Sequence, residues 1–287
     1  MRRISDKRAE APTYFTSRWL PERGFTLIEA LVVIMITGII AVAVITFVRE
    51  PILAYLDTAR RAELSDEADT ALRRIARDVQ SALPNSVRVS GTAYLEFLPV
   101  RSAGRYRADF GVAGTGDPLD FTSSTDSSFD VLGPTVTVAA GDSIVVYNLG
   151  ITGADAYEGT TTSRRLATAV GSLSVVQFNP NSAAFPFASP GSRFQVISTP
   201  VSYACDLGTG RLLRYAGYAI QPLQPATLAT LNALVAPTVL ANNLTVCSFT
   251  YNSGALVRSG VVAIRLAITR NGETVSMLHQ VSVSNTP

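Results

Sequence analysis

Few side chains able to do chemistry occur in this chain of 287 residues: it has one histidine, His279, and two cysteines, Cys205 and Cys247. A Cys/His zinc site wants four such ligands, so this inventory excludes one. His279 has no accompanying nucleophile and carboxylate in a recognisable pattern, and it reads as a structural residue. No G-x-S-x-G elbow, Walker A loop, HExxH or CxxC is present. The run Gly111-Val112-Ala113-Gly114-Thr115-Gly116 lacks the third glycine and the following helix of a dinucleotide loop. Asp117, Asp120, Asp126 and Asp130 lie close together, and flexible oxygen-rich loops suit calcium. Their spacing fits no EF-hand, and they read as solvated loop acids. The expectation is a protein with no catalytic residues, no metal and no cofactor, and hence no enzyme.

Cys205 and Cys247 fall in two strand-like runs, Val201–Cys205 and Leu244–Tyr251. Outside the cytoplasm a disulfide is the favoured reading, worth about 2–4 kcal/mol. Two free buried thiols are the alternative.

The remaining chemistry sits near the N-terminus. Residues 30–48 read ALVVIMITGIIAVAVITFV without a charge, and residues 25–29 extend the run to 24 residues. At roughly 1.5 Å per residue, that spans a bilayer with some tilt. Ahead of it, Arg2, Arg3, Lys7, Arg8, Arg18 and Arg23 oppose Asp6, Glu10 and Glu22, a net of +3. The other 18 basic and 19 acidic residues leave −1, giving +2 in all. That near-neutral balance argues against a nucleic-acid partner. The basic leader instead orients the span, with its own end in the cytoplasm and residues after Arg49 outside. Glu29 interrupts the apolar run, and an intramembrane carboxylate costs about 2.5 kcal/mol or more unless paired. It either snorkels at the interface or meets a cation of this chain or a neighbour.

The string Arg23-Gly24-Phe25-Thr26-Leu27-Ile28-Glu29 resembles the leader of type IV prepilins. The resemblance implies cleavage after Gly24 by a prepilin peptidase, N-methylation of Phe25, and a role for Glu29 in subunit assembly. There its carboxylate would neutralise the N-terminal ammonium of an adjacent subunit. Ala41-Val42-Ala43 offers a second reading, a signal-peptidase site releasing a soluble protein. Against it, Val44–Val48 stay apolar beyond that cut.

The likeness extends past the leader, through PILAYLDTARRAELSDEADTALRRIARDVQSALPNSVRV (51–89), VSYACDLGTGRLLRYAGY (201–218), VCSFTYN (246–252) and the C-terminal segment from Gly260. These stretches are similar to minor pilins of mannose-sensitive haemagglutinin (MSHA) pilus biogenesis, and to the J-type minor pseudopilins of type II secretion. The implied partners are other pilins or pseudopilins through the N-terminal helix, the prepilin peptidase and an inner-membrane assembly platform.

The elements that position these residues follow from periodicity. Beyond Pro51, which ordinarily kinks a helix, residues 52–83 read as helix with Leu72, Ile75, Val79 and Leu83 on one stripe. After Asn85 the pattern turns to short β runs. Ser86–Val89 and Tyr94–Leu98 flank Gly91-Thr92 as a hairpin, and residues 101–140 read as a long loop with short strands. Further strands are expected at Ser143–Leu149, Leu173–Phe178, Phe194–Ser198 and Leu212–Ile220, with a short helix or irregular connection at Pro225–Ala236. Asn271-Gly272 signals a type I′ turn. It pairs Ile268 with Val275, Leu266 with Met277, Ile264 with His279 and Val262 with Val281 on one apolar face.

The expected fold is α+β, a long N-terminal helix, its first half transmembrane, packed on an antiparallel sheet in the manner of type IV pilins. The expected segments are a leader (1–24), a span (25–48), the periplasmic half of the helix (49–84) and a β-rich periplasmic domain (85–287). Two other functions compete with filament assembly. One is a membrane-anchored adhesin binding through 101–195, and the other a periplasmic hydrolase, which has only His279 and scattered Asp and Ser behind it.

Overall fold

The computed structural model describes residues 24–159, 162–253 and 259–287. The expected leader lies outside the described residues except for Gly24. The chain divides into two compact units between Leu56 and Asp57. One helix, α1 (Leu27–Gln80), contributes to both and continues through Pro51 without a break. In the first unit every described side chain from Gly24 to Leu56 is exposed.

The second unit is built on the rest of α1. Leu64, Ala68, Ala71, Leu72, Ile75, Ala76 and Val79 are its buried residues, a stripe at three- and four-residue spacing. Small alanines between Leu, Ile and Val let sheets approach the helix closely. The helix ends at Gln80, three residues before the expected Leu83. Leu83 is still fully buried, but its N–H donates to the Leu98 carbonyl at 2.7 Å. Ala82 bridges Pro99, so strand-type pairing captures the chain before Pro84 is reached.

Among the described residues sixteen strands follow, and every pairing is antiparallel. The first three are β1 (Arg88–Ser90), β2 (Tyr94–Phe97) and β3 (Val100–Tyr106). Next come β4 (Ser128–Leu132), β5 (Val136–Val138), β6 (Ser143–Val146), β7 (Arg164–Leu166), β8 (Gly171–Leu173), β9 (Val175–Gln177) and β10 (Arg193–Ile197). The chain continues through β11 (Val201–Asp206), β12 (Arg211–Ala216), helix α2 (Leu228–Leu234) and β13 (Thr238–Ala241). It closes with β14 (Leu244–Asn252), β15 (Ser259–Arg270) and β16 (Glu273–Ser284).

Two sheets share the α1 stripe as their core. One has the order β1-β2-β11-β12-β13 and the other β14-β15-β16. Leu95, Phe97, Tyr203 and Leu212 of the first, and Phe249, Val262, Ile264, Leu266 and Ile268 of the second, pack with Leu64 to Val79 in one cluster. A disulfide joins Cys205 of β11 to Cys247 of β14, with Cα atoms 5.7 Å apart, and so staples one sheet to the other. The far face of the five-stranded sheet is also covered, because Ala204, Leu213 and Tyr215 pack with Tyr218 and Leu231 of α2.

The C-terminal hairpin has the expected register, from Arg270↔Glu273 to Ser259↔Ser284. Asn271 and Gly272 adopt φ of 53° and 85°, the left-handed pair that a type I′ turn requires. His279 stands opposite Ile264, half-buried.

Residues 100–197 form an inserted lobe. Its first strand β3 and last strand β10 pair with each other, Val100 opposite Ile197, so the chain leaves and returns at one place. Its sheet has the order β7-β6-β10-β3-β4-β9, with β5-β8 alongside, over a core rich in aromatic rings. Phe129 packs edge-on to Phe194 at 4.9 Å between centroids. The expected loop at 101–140 therefore carries three strands, β3 to β5. The single strand expected at Leu173–Phe178 is two, β8 and β9, paired to different partners. The strand expected to reach Ile220 stops at Ala216, where Gly217 turns the chain at φ 89°.

Where lobe and scaffold meet, Glu96 is fully buried. Arg88 donates to its carboxylate at 2.6 Å, Ser202 donates at 3.2 Å, and the Arg88 guanidinium lies 3.6 Å from the Tyr157 ring centroid. Burial raises the Glu96 pKa above its ordinary value of 4.5, and the opposing pull of Arg88 does not cancel it.

Two predictions follow from these contacts. Replacing both cysteines by serine lowers stability by about 2–4 kcal/mol, read as a lower thermal midpoint of the full chain in detergent micelles. Because the Glu96 pKa is raised in the fold, its stabilising contribution is complete below 4.5 and is lost as pH rises through the raised value. A thermal midpoint followed against pH falls across that window, and Glu96→Gln flattens the fall.

Candidate functional site

The N-terminal end of α1 is built by local hydrogen bonding. Thr26 precedes the helix, and its Oγ1 accepts from the Glu29 N–H at 3.3 Å while its carbonyl accepts from Ala30 N at 3.1 Å. Thr26-Leu27-Ile28-Glu29 is thus the S/T-x-x-E sequence of a capping box, with a carboxylate in the positively polarised first turn. Gly24 and Phe25 lie outside the helix and are exposed. The same six residues therefore start a helix and leave a non-helical peptide bond, Gly24–Phe25, directly before it.

The following helix suits a solvent without hydrogen-bonding capacity. Between Ala30 and Val48 its polar side chains are Thr37 and Thr46, and each hydroxyl returns to the helix's own backbone. Thr37 Oγ1 donates to the Val33 carbonyl at 2.7 Å, and Thr46 Oγ1 to that of Val42 at 3.0 Å. A continuous helix pairs its interior backbone groups within itself, as a spanning element requires. Leu27, Ile28, Ile34, Ile39, Ile45 and Phe47 are among the exposed large side chains, spread around the whole helix. Among the described residues the Glu29 carboxylate has no hydrogen bond or ion pair. A carboxylate set in an apolar, lipid-like surface is costly unless a cation pairs with it.

The other sequence-picked residues do structural work. Asp130 accepts from Arg107 Nε at 2.9 Å and from Asp117 N at 3.0 Å, and these bonds hold its carboxyl below its ordinary pKa. Asp117 accepts from Ser128 Oγ at 2.6 Å, Asp126 from Asp120 N at 2.8 Å, and Asp120 from Thr122 Oγ1 at 2.6 Å. These acids fold the 107–130 loop around an open cleft of about 620 Å³ whose lining includes Phe110 and Phe121. Among the described residues no group of three or more His, Cys, Asp and Glu is placed to hold a metal. His279 is on β16, far in sequence and fold from that loop, and forms no catalytic constellation with it.

Sequence reasoning missed the Arg88–Glu96–Ser202–Tyr218 network. A signal existed in the lone carboxylate of Tyr94-Leu95-Glu96-Phe97, which the hairpin register sets opposite Arg88.

Comparison with protein families matches residues 19–45 to the prokaryotic N-terminal methylation motif. That match covers the end of the leader, the Gly24–Phe25 bond, Glu29 and most of the apolar run. No curated protein and no solved structure matches the chain. The motif and the apolar helix together support a membrane-anchored pilin or pseudopilin of the kind that prepilin peptidase processes and that associates with other pilins.

One prediction follows from the loop acids, whose oxygens already accept bonds from within the loop. Millimolar calcium, the range of weak extracellular sites, leaves the thermal midpoint of the full chain unchanged. A rise with calcium would show a site there.

Proposed function

We propose that the chain is a minor pilin that helps initiate or cap an MSHA-like type IV pilus, similar to the biogenesis protein MshO. The observation that carries this reading is the methylation motif set across Gly24–Phe25, with Glu29, unpaired among the described residues, in an apolar surface. The leader is cut after Gly24 on the cytoplasmic side, Phe25 is N-methylated, residues 25–48 span the inner membrane, and residues 49–287 stand in the periplasm. Cleavage creates an ammonium group at Phe25. In a bundle of such helices, Glu29 of one subunit neutralises the ammonium of its neighbour. Wrong stagger leaves two charges unpaired in low dielectric, so this pair selects register. The disulfide supports the compartment, since such bonds persist outside the cytoplasm.

A J-type minor pseudopilin of a type II secretion system uses the same anchor and chemistry. Deletion in the host separates the two, because loss of surface pili marks the first and loss of protein export the second. The inserted lobe favours one addition, a binding role for the open cleft at 107–126 on an assembled subunit.

The test begins with mass spectrometry of the mature N-terminus from host membranes, where N-methylated Phe25 is expected. A start at Val44 would sink the reading. Glu29→Ala is expected to leave the disulfide and thermal midpoint intact while sharply reducing recovery in the assembled fraction. Unchanged incorporation would remove Glu29 from that role.

A further inference from the structure

The β14-β15-β16 sheet has one edge that no described residue covers. The outer side of β14 is held by Leu244 N donating to the Gly210 carbonyl at 3.0 Å and Phe249 N to that of Thr92 at 2.8 Å. On β16 there is no counterpart among the described residues: its backbone bonds run to β15 alone.

The turn fixes which groups face outward. Arg270 and Glu273 flank a two-residue turn, and such a pair exchanges both of its hydrogen bonds, as does every second pair after it. Odd-numbered residues of β16 therefore bond inward to β15. The phase is independently visible on β15, where Thr269 N donates away from β16 to the Asn243 carbonyl at 2.9 Å. Thr274, Ser276, Leu278, Gln280 and Ser282 consequently present both N–H and C=O to the open edge. All five side chains are exposed, and Leu278 is 66% exposed.

Protein edges of this length are normally blunted by charges, proline, bulges or cover. Residues 274–284, Thr-Val-Ser-Met-Leu-His-Gln-Val-Ser-Val-Ser, contain no proline, glycine, lysine, arginine or carboxylate. The β15–β16 register runs through twelve successive pairs without a shift. The outer strands of the two larger sheets are short, β1, β7 and β9 having three residues each and β13 four.

We propose that the β16 edge is an interaction surface that receives an extended, uncharged strand from a neighbouring filament subunit by main-chain β-augmentation. The identity of the donor rests on the assembly reading above. An uncharged donor fits because the edge offers backbone groups and Ser, Thr, Gln and Leu side chains, with no charge to pair. A second copy pairing β16 with β16 fits poorly. The two-fold axis of that pairing reverses the Leu64–Val79 stretch packed on the sheet, whereas subunits repeated along one filament carry it in the same sense.

The test uses the full chain, in detergent micelles and in the assembled fraction from host membranes, with residue-resolved amide exchange. The amides of Ser276, Leu278 and Gln280 are expected to exchange fast in micelles and at least about tenfold more slowly when assembled. Odd-numbered neighbours are expected to be protected in both. Gln280→Pro and Ser276→Pro remove only outward N–H groups, so they are expected to keep the disulfide and thermal midpoint but fall at least about tenfold in the assembled fraction. Equal exchange in the two states, or protection already present in micelles, would overturn the proposal. So would normal assembly of both proline variants, or a symmetric disulfide between copies of Gln280→Cys, which would make a second copy the occupant. If Glu29→Ala blocks assembly while Gln280→Pro does not, the edge proposal fails and the assembly reading stands. If the mature N-terminus is not Phe25, the assembly reading fails by itself.

Discussion

One buried stripe on α1, from Leu64 to Val79, is the constraint on which the folded unit depends. The β1-β2-β11-β12-β13 sheet and the β14-β15-β16 sheet belong to one core with this stripe. Both bury their inner faces on the same helical residues. Ile75 and Val79 are fully buried among side chains from both sheets, so the helix acts as the shared wall of the core. The Cys205–Cys247 bond lies in the same core and reinforces this arrangement by tying the two sheets directly.

That dependence explains a division of labour along one helix. Residues 30–48 carry no charge, and their two threonine hydroxyls bond back to the helix's own carbonyls, which suits lipid or other helices. Residues after Asp57 carry charges on their exposed side, and these reach outward to the sheets. Arg61 meets Glu273 at 2.9 Å, while Glu63 and Glu67 meet Arg270 at 2.9 and 2.8 Å. Exposed pairs of this kind add little stability each. Here they fix where the hairpin tip meets the helix, which the non-directional core leaves loose.

The legible parts of the sequence were those set by local rules. Asn271-Gly272 between alternating runs fixed a register of twelve pairs, because turn type and strand phase are decided within a few residues. Gly24-Phe25-Thr26-Leu27-Ile28-Glu29 was legible for the same reason, as a cap, a break and an apolar run in succession. Residues 100–197 were legible only in part: strands were expected where β6 and β10 lie, but the shorter strands and all of the pairings were not. Strands such as Val136–Val138 and Gly171–Leu173 are three residues long, rich in Gly, Ser and Thr, and paired to partners distant in sequence. No local periodicity announces such a pairing. The end of α1 was misplaced by three residues because the competitor for Leu83 was the Leu98 carbonyl, fifteen residues away.

The pairing of β3 with β10 has a consequence for how this protein can change. A segment whose two ends sit side by side is closed by the scaffold at a cost that grows only logarithmically with its length, about 0.6 kcal/mol per doubling. Its length is therefore only weakly coupled to the stability of the helix-bound sheets, provided that the contacts at its base, such as Tyr157 Oη donating to the Ser86 carbonyl at 2.9 Å, are kept. Lineages carrying this scaffold are free to enlarge, shrink or exchange the lobe while the anchor and the C-terminal hairpin stay fixed. Sequence divergence should concentrate between Val100 and Ile197, and comparisons across such lineages should align best on either side of it.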